Sequence, residues 1–305
     1  MPRTTRITLL ATVSLAASVV LAGCASGDPF NTPAGPGGGA ARSGAPIVVG
    51  SQAYYSNEII AEIYAQALEG VGFEVTRQFN IGQRDAYWPE IESGAIDAFP
   101  EYTGNLLEFL DPDTDATSAD DVYAALQDAL PDSVTALDYS AATDQDTYTV
   151  RKGFAEQNGI TSIADLADVD DRVTLGGGPQ LEQLPYGPAG AKSTYGVELG
   201  FSATGPSTLD ALLGGQIQVA DIYSADPAFQ TEEIVALEDP ENLILPSNVV
   251  PVVSSDVVEE VADVINAISA KLSIEGLIAM NVQSTVDELA PEKIAEQWLQ
   301  ENALD

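Results

Sequence analysis

The sequence predicts an α/β architecture with largely parallel sheets, on three observations. Short apolar runs ending at glycine or polar residues alternate with segments of helical spacing. The stretch from Ile47 to Asp305, about 259 residues, is long enough for two modest lobes or one large domain. That stretch also lacks cysteine, since the one cysteine is Cys24, so no disulfide within a monomer supports it.

The elements follow in order. Ile47-Val48-Val49-Gly50 is an apolar run fit for a buried strand. From Ser56 to about Gly70, Ile59, Ile60, Ile63, Tyr64 and Leu68 recur at helical spacing, and Gly70 ends the helix. Phe73–Thr76 reads as a second strand, Trp88–Ser93 as a helix closing at Gly94, and Ile96–Phe99 as a third strand before a helix from Tyr102 to Leu110. Ser118, followed by Ala119-Asp120-Asp121, is an N-cap with acids in the first turn, opening a helix to about Leu130. Further strands are expected at Thr147–Val150, Val173–Leu175 and Gln218–Ile222. Helices are expected at Ser162–Ala167, Pro188–Tyr195, Ser207–Leu213, Ser255–Ala270, Ser273–Asn281 and Pro291–Glu301.

Ahead of this region the chain reads as a targeting segment. Arg3 and Arg6 precede a charge-free apolar run, Ile7 to Ala22, shorter than the roughly 20 residues of a spanning helix. It ends in Leu21-Ala22-Gly23-Cys24, which resembles the bacterial lipobox. The resemblance implies a signal peptide over residues 1–23, acylation of Cys24, and attachment to the cell membrane, on the extracytoplasmic face, through that lipid alone. The alternative is an uncleaved apolar anchor with an incidental cysteine. The rest of 24–46 is rich in Gly, Ala, Ser and Pro, a composition that buries too little surface to order itself, and reads as a flexible tether.

Charge and composition close off whole classes of function. Without Arg3 and Arg6, nine Lys and Arg face 47 Asp and Glu. Nucleic-acid binding, which rests on cationic neutralisation of phosphate, is therefore not expected. A negative field gathers cationic solutes, although solubility alone also explains such a surface. The chain has no histidine, which removes Ser-His-Asp and Cys-His machinery and the commonest zinc ligand. Carboxylate pairs such as Glu90 with Glu92, or Asp97 with Glu101, are easily picked out among so many acids and carry no weight as catalysts.

Three segments together are specific. Val49-Gly50-Ser51 leads into a helix containing Glu58-Ile59-Ile60-Ala61-Glu62-Ile63-Tyr64-Ala65-Gln66-Ala67-Leu68-Glu69. Ser93-Gly94-Ala95-Ile96-Asp97 leads into Pro100-Glu101-Tyr102-Thr103-Gly104. Asp221-Ile222-Tyr223-Ser224-Ala225-Asp226 follows a strand. In order and spacing they resemble the osmoprotectant class of ABC-transporter substrate-binding proteins, over essentially Ile47 to Asp305. The resemblance implies a type II periplasmic-binding-protein-like fold of two α/β lobes joined by two crossover strands. Residues 47–145 plus 250–305 would form one lobe and 146–249 the other. It also implies a small cationic or zwitterionic solute in the cleft, an ABC permease with its ATPase as partners, and no cofactor, metal or enzymatic activity. Under that frame Gly176-Gly177-Gly178, which lacks the lysine of a phosphate loop, reads as a flexible turn at the cleft edge.

A trimethylammonium group is a weakly hydrated cation without N–H donors, and aromatic faces suit it. By resemblance Tyr102, Tyr148 and Tyr223 match cage tyrosines, with the Asp146 carbonyl beside Tyr148. Read without the resemblance, each is equally a structural tyrosine: a helix start, a strand residue, a strand end. The family's carboxylate-binding lysine and arginine correspond here to Gln52 and Leu184, and a fourth cage tyrosine to Ser247, ahead of Pro251-Val252-Val253. Tyr54, Tyr55 and Tyr186 are further aromatics able to compensate, or else exposed loop residues, and Asn105 just beyond the Pro-Glu-Tyr-Thr-Gly run joins the candidates. A charge-assisted contact to a carboxylate is worth about 1.5–3 kcal/mol, so losing both cations favours a ligand that need not carry one. The expected order is choline ahead of betaine. The alternatives are another solute on the same fold (an amino acid, a polyol, a trimethylated histidine betaine) and a lipoprotein that senses a solute.

Overall fold

The computed structural model describes residues 44–169 and 172–304. The signal peptide, the lipidation at Cys24 and most of the tether, all expected from the sequence, lie outside the described residues. The chain enters as β1 (Ile47–Gly50), α1 (Tyr55–Gly70), β2 (Val75–Gln78), α2 (Arg84–Glu92), β3 (Ala98–Tyr102), α3 (Thr103–Leu110), α4 (Ala119–Ala129) and β4 (Val134–Ala136). It continues through β5 (Asp146–Arg151), α5 (Lys152–Asn158), β6 (Thr174–Gly177), α6 (Pro188–Tyr195), β7 (Gly200–Ala203), α7 (Thr208–Leu213), β8 (Val219–Tyr223), α8 (Ala228–Thr231) and β9 (Ile234–Ala236). It ends with β10 (Val249–Ser254), α9 (Val258–Ser269), α10 (Ile274–Thr285) and α11 (Pro291–Glu301).

Two five-stranded sheets result, ordered β2-β1-β3-β10-β4 and β7-β6-β8-β5-β9. They are mixed rather than largely parallel. β1 runs parallel to β2 and β3, and β6 to β7 and β8, whereas β10 is antiparallel to β3 and β4, and β5 to β8 and β9. The cause is the connection: β5 and β10 bring the chain from one sheet into the other, and each is inserted against the direction of its neighbours.

Packing follows from the apolar stripes. Ile59, Ile63 and Leu68 of α1 meet Ile265 and Ile268 of α9 and Ile294 and Trp298 of α11 on one face of the first sheet. Tyr87, Trp88, Phe99, Leu107 and Leu126 fill the other. Full burial of each such side chain contributes about 1.5–3 kcal/mol. The α1 stripe also carries the buried acid Glu62, which accepts from Arg77 Nε at 2.7 Å and Nη2 at 3.0 Å. The second sheet is covered by Val150, Ile163, Leu175 and Val219 on one side and Leu212, Ile217 and Ile222 on the other. Ser118 caps α4 as its sequence position predicts, accepting from Asp121 N at 3.2 Å.

Several boundaries move. Tyr102 ends strand β3 and the helix opens at Thr103, α2 opens at Arg84 and runs through Pro89, and Ser162–Ala167 is a 3-10 turn over Ala164–Asp168. β10 is buried at all six positions, yet Pro251 lies within it, facing Pro100 across the register, so its sequence does not advertise a strand. Gly176 and Gly177 are not a flexible turn. They lie in β6, where an added Cβ would come within 2.4 Å of Ile217 and 2.5 Å of Leu181.

The lobes meet at two crossover segments that pair with each other. Thr143 bridges Asn248 in antiparallel fashion, Asp144 N donates to Ser247 O at 3.0 Å, and Val249 N donates to Ala142 O at 2.9 Å. The turn after β8 also docks on the first lobe. Ser224 Oγ lies 3.0 Å from Thr143 Oγ1, Ala225 joins the first lobe's core, and Ala225 O accepts from Asn281 Nδ2 of α10 at 2.9 Å.

Candidate functional site

Where the crossovers meet both sheets, a pocket of about 270 Å³ opens between the lobes. That lies just below the range of drug-sized ligand sites, roughly 300–1,000 Å³, and suits a small solute. From the first lobe it is lined by Gln52, Ala53 and Tyr54 ahead of α1, Gln83 and Arg84 at the start of α2, Tyr102 at the end of β3 and Asn105 in α3. Asp144 contributes from the crossover and Tyr223 from the end of β8.

The first lobe's side of this pocket is held by buried polar groups. Asn57, in the first turn of α1, accepts from Gln52 N at 3.0 Å and donates to Pro100 O at 2.7 Å and to the Tyr102 hydroxyl at 3.5 Å. One buried amide thereby fixes the Gln52 loop and the β3 terminus relative to each other. Glu101, fully buried, takes a two-point pair from Arg84, Nε to Oε1 at 2.9 Å and Nη2 to Oε2 at 2.8 Å, and a bond from the Tyr87 hydroxyl at 2.7 Å. Gly104 lets α3 approach the second crossover, since a Cβ there would lie 2.7 Å from Pro246 O.

The aromatic rings come from both lobes. Tyr54 and Tyr223 stand with centroids 6.4 Å apart and planes at 52°, and Tyr55 packs on Tyr54 at 4.6 Å. Tyr102 is buried, whereas Tyr223 is 49% exposed, a ring facing the cleft with one side free to be covered. Burial pushes the Tyr55 hydroxyl up to about 12 and raises the Tyr54 and Tyr102 hydroxyls further still, with Asp144 adding to all three. All remain neutral phenols at any physiological pH.

The acids of the site are unevenly served. Asp144 is 4% exposed, and neither of its oxygens closes a hydrogen bond among the described residues; the Tyr54 hydroxyl is likewise unpartnered. Burial pushes the Asp144 carboxyl up to about 7, the Tyr54 and Ser56 hydroxyls and the Ala225 N–H opposing in part and Asp226 adding to the rise. On the second lobe Asp146 and Asp221 share a buried neighbourhood, and each is raised, first by burial; the charge of Asp146 lifts Asp221 further.

Of the residues singled out in the sequence, Gln52, Tyr54, Tyr102, Asn105 and Tyr223 line this pocket together. Asp146, Tyr148, Tyr186 and Ser247 are not among its lining. Tyr148 is 1% exposed and lies one layer back, its hydroxyl donating to Tyr186 O at 2.7 Å, while the Tyr186 hydroxyl donates to Asp146 Oδ2 at 2.9 Å. Ser247 is a buried residue of the second crossover, accepting from Asn105 N at 3.1 Å and donating to Asn105 Oδ1 at 2.6 Å. Sequence reasoning passed over Asp144, Gln83 and Arg84. Asp144 stands two residues before Asp146 in an extended segment, and Arg84 is one of few cations in an acidic chain. Those are faint signals for a site that only the crossover brings together.

Among the described residues no group of three or more acids or other ligating side chains is arranged to hold a metal ion, and no helix is long and apolar enough to cross a membrane. A family model described as the substrate binding domain of ABC-type glycine betaine transport system matches residues 45–301. The glycine betaine-binding protein YehZ of Escherichia coli (strain K12) is 27% identical over 285 residues, spanning 85% of this chain and 92% of that protein. The carnitine transport binding protein OpuCC of Listeria monocytogenes is 22% identical over 268 residues, spanning 84% and 86%. Among solved structures, a glycine betaine/carnitine/choline ABC transporter protein superposes with a TM-score of 0.79 at 18% identity, covering 85% of this chain and all of that one. Apo YehZ from Escherichia coli superposes with a TM-score of 0.73 at 23% identity, covering 86% and 100%. The shared two-lobed α/β fold is the one expected from the resemblance.

Proposed function

The chain belongs to the family of substrate binding domains of ABC-type glycine betaine transport systems, and on that premise we propose that its inter-lobe pocket captures a quaternary ammonium solute. The observation that carries this reading is the convergence of Tyr54, Tyr102 and Tyr223 on one small pocket whose charged lining, apart from Arg84 already paired with Glu101, is acidic. Ring faces attract a trimethylammonium group by about 0.5–2 kcal/mol each, more as water is excluded. The fully exposed ammonium of an amino acid would instead need hydrogen-bond acceptors aimed at its N–H groups. The work is binding and delivery, with no bond made or broken.

Choline ranks ahead of betaine, because among the described residues the lining offers no free guanidinium or ammonium for a carboxylate. A second reading, a zwitterion such as betaine, is supported by Gln52 and Gln83 at the pocket wall, whose amides are able to donate to a carboxylate. Calorimetric titration with choline, betaine, carnitine and a trimethylated histidine betaine decides between them. Choline is expected to bind most tightly; micromolar betaine with silent choline overturns the ranking.

The Listeria monocytogenes relative is a carnitine transport binding protein and the family's domains belong to transport systems, and the same role suits this chain: solute handed to an ABC permease powered by its ATPase, on the extracytoplasmic face. Acylation at Cys24 and the tether over 24–46 would keep the receptor near that permease, raising effective concentration without fixing orientation. Metabolic labelling with a fatty-acid analogue tests this, and a Cys24→Ala chain that still takes up label contradicts it.

A further inference from the structure

Asp144 sits in the first crossover, within the pocket and between the lobes. A buried carboxylate ordinarily has a cation or several N–H donors on it, because an unpaired charge out of water is costly. Asp144 has neither closed contact. The groups facing it are Tyr54 and Tyr55 from the loop into α1, Tyr102 from β3, and Tyr223 and Asp226 from the end of β8 and its turn. Neutral Ser56, bonded to Asn281, and the Ala225 backbone N–H, which is not within closed hydrogen-bond geometry, complete the set. None of these is a cation, and Arg84, also in the lining, is committed to Glu101.

We propose that Asp144 is the counter-charge of the solute's ammonium head and the residue that sets the preference for a simple cation over a zwitterion. The inference rests on the quaternary-ammonium reading and deepens it. The three rings recognise shape and softness and serve choline and betaine alike, whereas a fixed negative charge beside them attracts the one and also repels the carboxylate of the other.

Proton and solute then compete for Asp144. Burial, with Asp226 adding, raises its carboxyl to about 7, and the solute requires the ionised form. The ionised fraction drops from nearly all to about one tenth between pH 8 and pH 6, so apparent affinity should fall roughly tenfold over that interval. At pH 7 about half a proton should leave per solute bound.

The test is calorimetry with choline and betaine on the wild-type chain and on Asp144→Asn, at pH 8 and pH 6, repeated at pH 7 in buffers of different ionisation heat. The wild type should show the tenfold pH loss and the proton release. Asp144→Asn should bind choline at least about tenfold more weakly at pH 8, lose the pH dependence, and lose less affinity for betaine. Proton release by the wild type tests the idea even if the variant does not fold. Choline binding with a flat pH profile and no released proton, or a variant that keeps full choline affinity, overturns the role of Asp144 alone. A wild type silent to every quaternary amine overturns the ammonium reading and this inference with it.

Discussion

The two halves of the cleft are built differently. On the first lobe, Tyr54 aside, the polar groups that hold the wall are paired: Arg84 and Tyr87 on Glu101, Asn57 on Gln52 N, Pro100 O and Tyr102. The crossover and the second lobe present acid and ring surface with no cation on it: Asp144 without a closed hydrogen bond, Asp146 and Asp221 raised together with only the Tyr186 hydroxyl donating to Asp146, and Tyr223 half exposed. The first half resembles a finished wall and the second a surface awaiting a cation. Preorganisation on one side lowers the ordering cost of binding, and unmet charge on the other supplies the selectivity.

The comparison breaks most visibly at Glu101. Replacing it with alanine strands the Arg84 guanidinium in a largely buried site, where loss of one partner costs about 3–5 kcal/mol. Urea denaturation should show that loss in Glu101→Ala; a loss below 1 kcal/mol would mean that the first wall is not held by this pair. Asp144→Asn probes the opposite half. A carboxyl raised from 3.8 to about 7 in the fold binds its proton more tightly there than in the unfolded chain. The ligand-free protein therefore gains stability from Asp144 at acid pH and loses it as pH rises from about 4 through 7, by up to about 4 kcal/mol. Denaturation at pH 4.5 and pH 8 should reveal a larger decline in wild type than in Asp144→Asn; parallel pH profiles contradict the burial argument.

Smaller effects sharpen the contrast. Tyr223→Ala removes an exposed ring, and should cost about 0.5–2 kcal/mol of choline binding with unfolding unchanged within about 0.5 kcal/mol. Equal losses in both measurements would make Tyr223 a packing residue. Tyr148→Phe deletes a hydroxyl bonded to Tyr186 O, outside the pocket lining. It should cost about 0.5–1.5 kcal/mol of stability and leave affinity within twofold. A tenfold affinity loss would instead bring Tyr148 into the cage that the family resemblance implies.

Much of this was legible in the residues. The helix carrying Ile59, Ile63 and Leu68, the Ser118 cap and the span Pro188–Tyr195 follow from periodicity and end signals, since local chemistry decides them. Tyr102 and Tyr223 came from a motif resemblance, and both line the pocket. Hidden from the sequence were features set by distant pairing. β10 carries a proline yet runs through the middle of a sheet, Gly176 and Gly177 are packed against Ile217 and Leu181, and Asp144 gains its place when Thr143 pairs with Asn248 across more than a hundred residues. Acid-rich composition masked the buried acid of the pocket, because nothing local separates Asp144 from the many solvated acids.

The central claim is that the pocket recognises a quaternary ammonium cation by its charge as well as its shape. Titration of the wild type with choline and with 3,3-dimethyl-1-butanol, the neutral carbon analogue of the same shape, tests it most directly. The neutral analogue should bind at least about tenfold more weakly than choline. Equal affinity for the two would contradict it.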